Sequence, residues 1–256
     1  MKKVFSLAVL FLLSLLIAVS IIFSRANIEA EEQIIYWGVP IDTNLFGYYN
    51  IANGEIEGFD VDIAKAITHE LTGDEANAKF VEVNSKSRVP MLKNGNIDAI
   101  LATMSTTDGP KQVVHFSDVY FNAGQTLLVP EDSTITSLDD LGPNDVVLAV
   151  KGTILADSLR KIKPDANIIE LENYAEAFTA LESNQGVAMT AEDVILMGIL
   201  AQQPGGYKLV GENFTEEPYG IAVNHGQEEF LEAINQALIR IHENGTYEQI
   251  YAKWIP

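Results

Sequence analysis

The chain has 256 residues, a formal net charge of -20 from 16 Lys+Arg and 36 Asp+Glu, 47% hydrophobic residues and no cysteine. Acidity on this scale repels nucleic-acid backbones and anionic lipid surfaces, both of which are gripped through cationic patches. Without cysteine there is no disulfide framework, zinc ribbon, iron-sulfur cluster, thiol nucleophile or lipid-modified cysteine, and length and apolar content suit a globular protein with one large core or two modest ones.

Met1, Lys2 and Lys3 make a short basic start, and the 20 residues from 4 to 23 carry no charge, with Ser6, Ser14 and Ser20 as polar interruptions. A signal-peptide core runs about 7 to 15 apolar residues, whereas spanning a bilayer takes about 20. Residues 1–30 are therefore expected to be a signal peptide or an N-terminal membrane anchor. Their length favours the anchor, and cleavage after Ala26 or Ala30 is the alternative. Lysines ahead of the stretch and Glu29, Glu31 and Glu32 behind it place the remainder outside the cytoplasm, so the membrane is met only through this segment. That remainder has 13 basic and 35 acidic residues, about -22 in net charge, mostly a solvated surface that keeps the domain dispersed.

From Ile34 onward, short β-rich runs alternate with helical patterns, the mark of an α/β protein with a mainly parallel sheet. Residues 34–39 read as a first strand. Gly54 and Gly58 punctuate a turn, and residues 61–71 form a helix with Ile63, Ala66, Ile67 and Leu71 at helical spacing and Asp60 and Asp62 at its N-terminal end. Strands are expected at 78–83 and 97–102 around a short helix at 88–93; the consecutive apolar residues of 97–102 suit a sheet covered on both faces. Residues 125–129 form another strand, stopped by Pro130. The pattern then restarts, with a short helix at 137–141, a strand at 146–150, a Gly152-Thr153 turn into a helix at 155–162, and a strand at 167–171. A helix carrying Tyr174, Ala177, Phe178 and Leu181 on one face follows, then a strand at 187–190 and an apolar helix at 194–201 broken by Pro204-Gly205-Gly206. A strand at 219–223 and a helix at 228–242 close the series. Two similar series joined twice by extended segments imply two lobes, 34–126 with 219–256 and 127–218, with a ligand cleft between them.

Six strings share one order and spacing: GEIEGFDVDIAKAI (54–67), SRVPMLKNGNIDAI (87–100), HFSDVYF (115–121), TAEDVIL (190–196), EPYGIAV (217–223) and NGTYEQIYAKW (244–254). Together they make residues 34–256 resemble the extracytoplasmic solute-binding proteins of amino-acid ABC importers, particularly the glutamine, glutamate and aspartate branch. The resemblance implies a type II periplasmic-binding-protein-like fold with a two-segment hinge. It also implies a small polar ligand captured by hinge closure, an ABC permease and its ATPase as partners, a monomer, and no cofactor.

A zwitterionic amino acid needs donors for its carboxylate, acceptors for its ammonium and an apolar wall for its stem. The turn at Gly152 and Thr153, just ahead of a helix, offers free N–H groups and a dipole that favour an anion; capping by Thr153 explains the same residues. By resemblance this turn clasps the ligand carboxylate, the Thr103 carbonyl accepts from the ammonium and Ser105 donates to the carboxylate. Five residues past Ser105 the family pattern places an arginine; Pro110 stands there and Lys111 is the nearest cation, a point charge in place of a rigid fork. Glu192 takes the position of the ammonium-pairing Asp. Ser85 and Arg88 match positions that meet the ligand's side-chain end, and Asp42 and Phe46 lie in the loop that supplies an apolar wall. Phe46 could equally be core.

Catalytic and metal signatures are thin. His69, His115, His225 and His242 are scattered, and the chain has no HExxH, no GxSxG elbow and no Walker loop. No catalytic or metal-binding residue is assigned. The rival readings are an enzyme on the same fold, such as a cyclic-acid dehydratase with Glu192 as its acid or base, and a membrane-tethered sensory module.

Overall fold

A computed structural model describes residues 33–107 and 113–255; the leader, Pro110 and Lys111 lie outside the described residues. From Ile34 onward the chain forms one compact unit. Its elements are β1 (Ile35–Val39), β2 (Asp42–Thr43), β3 (Gly47–Asn50), β4 (Glu55–Glu57), α1 (Phe59–Thr72), β5 (Ala78–Glu82), α2 (Arg88–Lys93), β6 (Ala99–Ile100), β7 (His115–Ala123) and β8 (Gln125–Pro130). There follow β9 (Val146–Val150), α3 (Leu155–Ile162), β10 (Asn167–Leu171), α4 (Tyr174–Glu182), β11 (Ala188–Glu192), α5 (Asp193–Gln202), β12 (Tyr207–Val210), β13 (Glu217–Val223), α6 (Glu228–Glu243) and α7 (Thr246–Trp254).

Among the described residues these strands build two five-stranded sheets, in the orders β5-β1-β6-β13-β7 and β10-β9-β11-β8-β12. The fold is α/β and two-lobed, and each sheet is mixed. Strands β5, β1 and β6 are parallel, as are β10, β9 and β11. The other two strands of each sheet pair antiparallel. The cause is the double crossing: β7 leaves the first sheet and β13 returns beside it, while β8 enters the second and β12 leaves beside it. A strand going out and its neighbour coming back run in opposite senses.

Both sheets are covered on both faces, which explains their unbroken apolar strands. One face of the first packs Trp37, Phe59, Ile63, Ile67, Ile234 and Leu238, and the other packs Leu92, Ile97, Ile100 and Met104. In the second lobe, Leu148, Phe178, Leu181 and Leu196 fill one side and Leu127, Val147 and Leu159 the other. Helix α1 buries Phe59, Ile63 and Ile67, four residues apart, and stops at Gly73, whose φ of 83 lets its N–H bond back to the His69 carbonyl.

Several elements differ from expectation. The strand expected at 97–102 is a named strand only over Ala99–Ile100, although the N–H groups of Asp98 and Leu101 on either side still donate to the Tyr36 and Gly38 carbonyls of β1. The three-stranded sheet β2-β3-β4, the nine-residue strand β7, strand β12 and helix α7 are additional. The chain changes sheets earlier than the expected points at 126/127 and 218/219: Ala123 pairs with Glu217 in the first sheet and Gln125 with Glu192 in the second, so Gly124 alone separates them.

Phe46 corrects a second expectation. It is fully buried and stands edge-on to Phe59, Phe121 and Tyr219 at centroid distances of 5.5, 5.1 and 5.9 Å, inside the core of the first lobe. Phe46→Ala should therefore cost about 3–5 kcal/mol of stability, measured by chemical denaturation, with ligand affinity of the folded fraction unchanged. Lost affinity at full stability would return Phe46 to the ligand wall.

Candidate ligand-binding site

Strands β6, β9 and β11 end where the lobes face each other, and Thr103, Gly152 and Glu192 sit at or just past those carboxyl ends, the usual place for ligands on such sheets. A cavity of about 570 Å³ opens there. The first lobe lines it with Ser85, Arg88, Met104 and Thr107, the second with Gly152, Thr153, Asp157, Ser158 and Lys161, and the returning segment with Thr215, Glu216 and Glu217. A crevice of about 20 Å³ adjoins it, bounded by Asp42, Ser85, Arg88 and Thr103 on one side and Glu172, Asn173 and Tyr174 on the other. Ser85 and Arg88 line both spaces.

Arg88 opens helix α2 and is 4% exposed. Burial of a guanidinium is costly unless it is bonded, and its Nη1 donates to the Ala102 carbonyl at 2.9 Å. Thr103 has φ 45, a left-handed conformation rare for a β-branched residue. Its N–H donates to Asp60 Oδ2 at 3.1 Å, and the Tyr120 hydroxyl donates to Asp60 Oδ1 at 2.9 Å. Burial pushes the Asp60 carboxyl up to about 7, opposed by those two hydrogen bonds and by the charge of Arg88. Asp42 keeps contact with solvent, yet the crevice strips part of its hydration and raises its pKa, against hydrogen bonds that include Thr43 and Tyr174.

Ser105 is 2% exposed, and its hydroxyl is taken up by Thr107: the two Oγ atoms are 2.8 Å apart and the Thr107 N–H donates to Ser105. Thr107 lines the cavity in its stead and donates to Glu217 at 3.2 Å. Across the cleft, Gly152 has φ 79, and a Cβ there would stand 3.0 Å from the Ser85 carbonyl, so this turn needs glycine for conformation and for contact with the opposite lobe. The Thr153 hydroxyl donates to the Val150 carbonyl at 2.8 Å and receives the Leu155 N–H, the first of helix α3, at 3.4 Å while lining the cavity. Glu192, 4% exposed, ends β11 with the Tyr174 hydroxyl 3.5 Å from its Oε2. The Tyr219 hydroxyl is held well above its ordinary pKa, first by burial and then by the charge of Glu192.

The lobes touch at the rim. Glu172 accepts from Lys151 of its own lobe at 2.5 Å and from Lys86 of the other, and the two lysines hold its carboxyl down to about 2. Asn44 Nδ2 donates to the Gly198 carbonyl at 2.6 Å.

Asp42, Ser85, Arg88, Thr103, Gly152 and Thr153 thus line one continuous cleft, with Glu192 buried beside Tyr174. Phe46 lies in the core, and Lys111 is outside the described residues. Sequence reasoning did not single out Tyr174, Thr107, Lys161 or Glu217, and it read Asp60 as a helix-start acid. Tyr174 and Asp60 carry the signals of a buried helix face and a dipole-favoured acid, which conceal such roles; Glu217 at least opens one of the six recognised strings. Among the described residues no group of three or more His, Asp or Glu is placed to hold a metal ion, and no helix is long and apolar enough to cross a membrane.

The profile of the bacterial extracellular solute-binding proteins, family 3, matches residues 35–256. The ABC transporter glutamine-binding protein GlnH of Bacillus subtilis (strain 168) is 47% identical over 268 aligned positions, covering 100% of this chain and 98% of that protein. Among solved structures, an ancestral arginine-binding protein bound to glutamine superposes with a TM-score of 0.80 at 36% identity, over 87% of this chain and 98% of its own. The ancestral amino acid-binding protein AncCDT-1, a precursor of cyclohexadienyl dehydratase, gives a TM-score of 0.80 at 32% identity, over 88% of this chain and 97% of its own.

Proposed function

The chain belongs to the bacterial extracellular solute-binding proteins of family 3, and from that membership we propose that it is the receptor of an ABC importer that captures glutamine by hinge closure outside the cytoplasm. Closure shifts the population toward a state in which both lobes touch the ligand, and the permease with its ATPase reads that state. The hinge is placed in the two crossings, at Gly124 and residues 211–216, and the leader is read as the export signal or tether of a monomeric receptor.

The observation that carries this reading is the buried Arg88, shared by both spaces where the lobes meet, together with the buried Glu192 on the other lobe. A zwitterion needs both signs of charge, desolvated and held. Ligand contacts are assigned to Asp42, Ser85, Arg88, Thr103, Gly152, Thr153 and Glu192, with Lys111 as a further cation and Thr107 in place of Ser105, whose hydroxyl it occupies. Glutamine is preferred to glutamate because Asp157, Glu216 and Glu217 outnumber Arg88 and Lys161 around the larger cavity. A second carboxylate would enter a net negative field. The full-length likeness to a protein named for glutamine binding points the same way.

Calorimetry against the twenty amino acids tests it. Glutamine should bind at about 1 μM or tighter, a free energy of about -8 kcal/mol, and at least about tenfold more tightly than glutamate. Mass spectrometry of the recovered ligand should show it unchanged. Preference for glutamate would overturn the assignment of the ligand, and turnover of the bound compound would favour an enzyme.

A further inference from the structure

One peptide group at the cleft is held from both ends. The Ala102 carbonyl accepts from Arg88 Nη1, and the N–H at the other end of the same peptide unit, that of Thr103, donates to Asp60. The second oxygen of Asp60 is engaged by the Tyr120 hydroxyl. Asp60, Arg88 and Thr103 are 0, 4 and 6% exposed. At such burial, aligned hydrogen bonds polarise one another: a carboxylate pulling on the N–H makes the carbonyl a better acceptor for the guanidinium. The left-handed Thr103 is a conformation that persists only where its surroundings over-determine it, and the bond of its N–H to Asp60 is one such contact. Asp60 itself lines neither cavity nor crevice.

We propose that Asp60 is a positioning residue for the ligand cleft, acting through the Ala102–Thr103 peptide to fix where the Arg88 guanidinium and the Thr103 carbonyl meet the ligand. This rests on the reading of the cleft as an amino-acid site. The groups that face Asp60 are Arg88 of α2, Tyr120 of β7 and Tyr219 of β13, with Tyr247 of α7 acting on Tyr120 and Glu192 on Tyr219. Because burial sets the carboxyl near 7, the clamp is charge-assisted above that pH and loses this assistance below it.

Asp60→Asn and Asp60→Ala separate position from charge. Asparagine keeps an acceptor for the Thr103 N–H, turns the acceptor for the Tyr120 hydroxyl into an amide donor, and cannot titrate; alanine keeps no partner for either. Glutamine affinity is measured by calorimetry from pH 5.5 to 8.0, and Thr103 amide exchange by NMR in the ligand-free protein. Wild-type affinity should weaken about three- to tenfold from pH 8.0 to 5.5, the scale of one charge-assisted hydrogen bond becoming neutral, and Asp60→Asn should show no such slope. Asp60→Ala should bind about tenfold more weakly at pH 8.0 with its Thr103 amide exchanging faster, while Asp60→Asn keeps that amide protected.

Folding gives its own sign. The folded protein holds the Asp60 proton more tightly than an unfolded chain with the ordinary value of 3.8, so this group favours the fold most below that value and less as pH rises through about 7. Asp60→Asn should therefore melt no lower than wild type at pH 8.0. Wild-type affinity in Asp60→Ala, a pH slope that survives in Asp60→Asn, or an equally protected Thr103 amide in Asp60→Ala would each overturn the proposal. If the wild type binds no amino acid, the receptor reading fails, and the amide measurement by itself then decides the clamp.

Discussion

Arg88→Ala is expected to weaken glutamine binding by about two to three orders of magnitude, since truncating one member of a buried charged contact costs about 2–5 kcal/mol. Arg88 is the cation common to the cavity and the crevice, and at 4% exposure its attraction for a ligand anion is little screened by water. Arg88→Lys should recover only part of the loss, because an ammonium cannot hold the Ala102 carbonyl and a carboxylate with one planar fork. If Glu192 pairs with the ligand ammonium as proposed, Glu192→Gln should act in the same direction. Calorimetry beside thermal melts provides the check. An Arg88→Ala protein that melts like wild type and binds within threefold of it would remove Arg88 from the site.

Gly198→Ala should weaken binding by about tenfold without touching the ligand, a shift of about 1.4 kcal/mol against the closed state. Gly198 lies within helix α5 of the second lobe, and a Cβ on it would stand 2.6 Å from the Asn44 carbonyl oxygen of the first. That oxygen is backbone and cannot turn aside, so the lobes must part by about 1 Å to restore van der Waals contact. The same substitution removes an interior helix glycine, which by itself favours the helix by about 1 kcal/mol. Stability is thus expected to hold or rise while affinity falls. Small-angle scattering should show the variant more open at subsaturating glutamine. Wild-type affinity, or a fall in affinity matched by a fall in melting temperature, would show that the Asn44–Gly198 contact does not gate closure.

Much of the fold was legible because its signals are local. Period-two and period-3.6 apolar patterns, the Asp-rich start of α1 and the breaks at Pro130 and Pro204-Gly205-Gly206 depend on neighbours a few residues away. The pieces that escaped have weak local signals. Strands β2 to β4 are two to four residues long and mostly polar or aromatic, so their pairing depends on the hairpin itself, and β7 interrupts its apolar residues with Ser117, Asp118 and Asn122. The site divided in the same way. Residue type and motif placed Ser85, Arg88, Thr103, Gly152, Thr153 and Glu192 near the cleft. Phe46 could be resolved as core only once Phe121 and Tyr219, far along the chain, were brought against it.

By itself the sequence determined that this is an acidic, cysteine-free α/β protein with two βαβ series, properties that follow from composition and periodicity and need no partner at a distance. The resemblance of its six strings added the solute-binding family and the expectation that Arg88 and Glu192 serve the cleft. Only the tertiary structure decided that the sheets are mixed, that Thr107 rather than Ser105 lines the cavity, and that Asp60 is bonded to the backbone at the cleft. It also brought Asn44 against Gly198, 154 residues away, and Asp60 against Tyr120, 60 residues away. Such contacts join side chains whose own neighbours in sequence carry no trace of the pairing. The Asp60–Tyr120 contact arises only when the first lobe's helices pack on its sheet, and the Asn44–Gly198 contact only when the second lobe is set against the first.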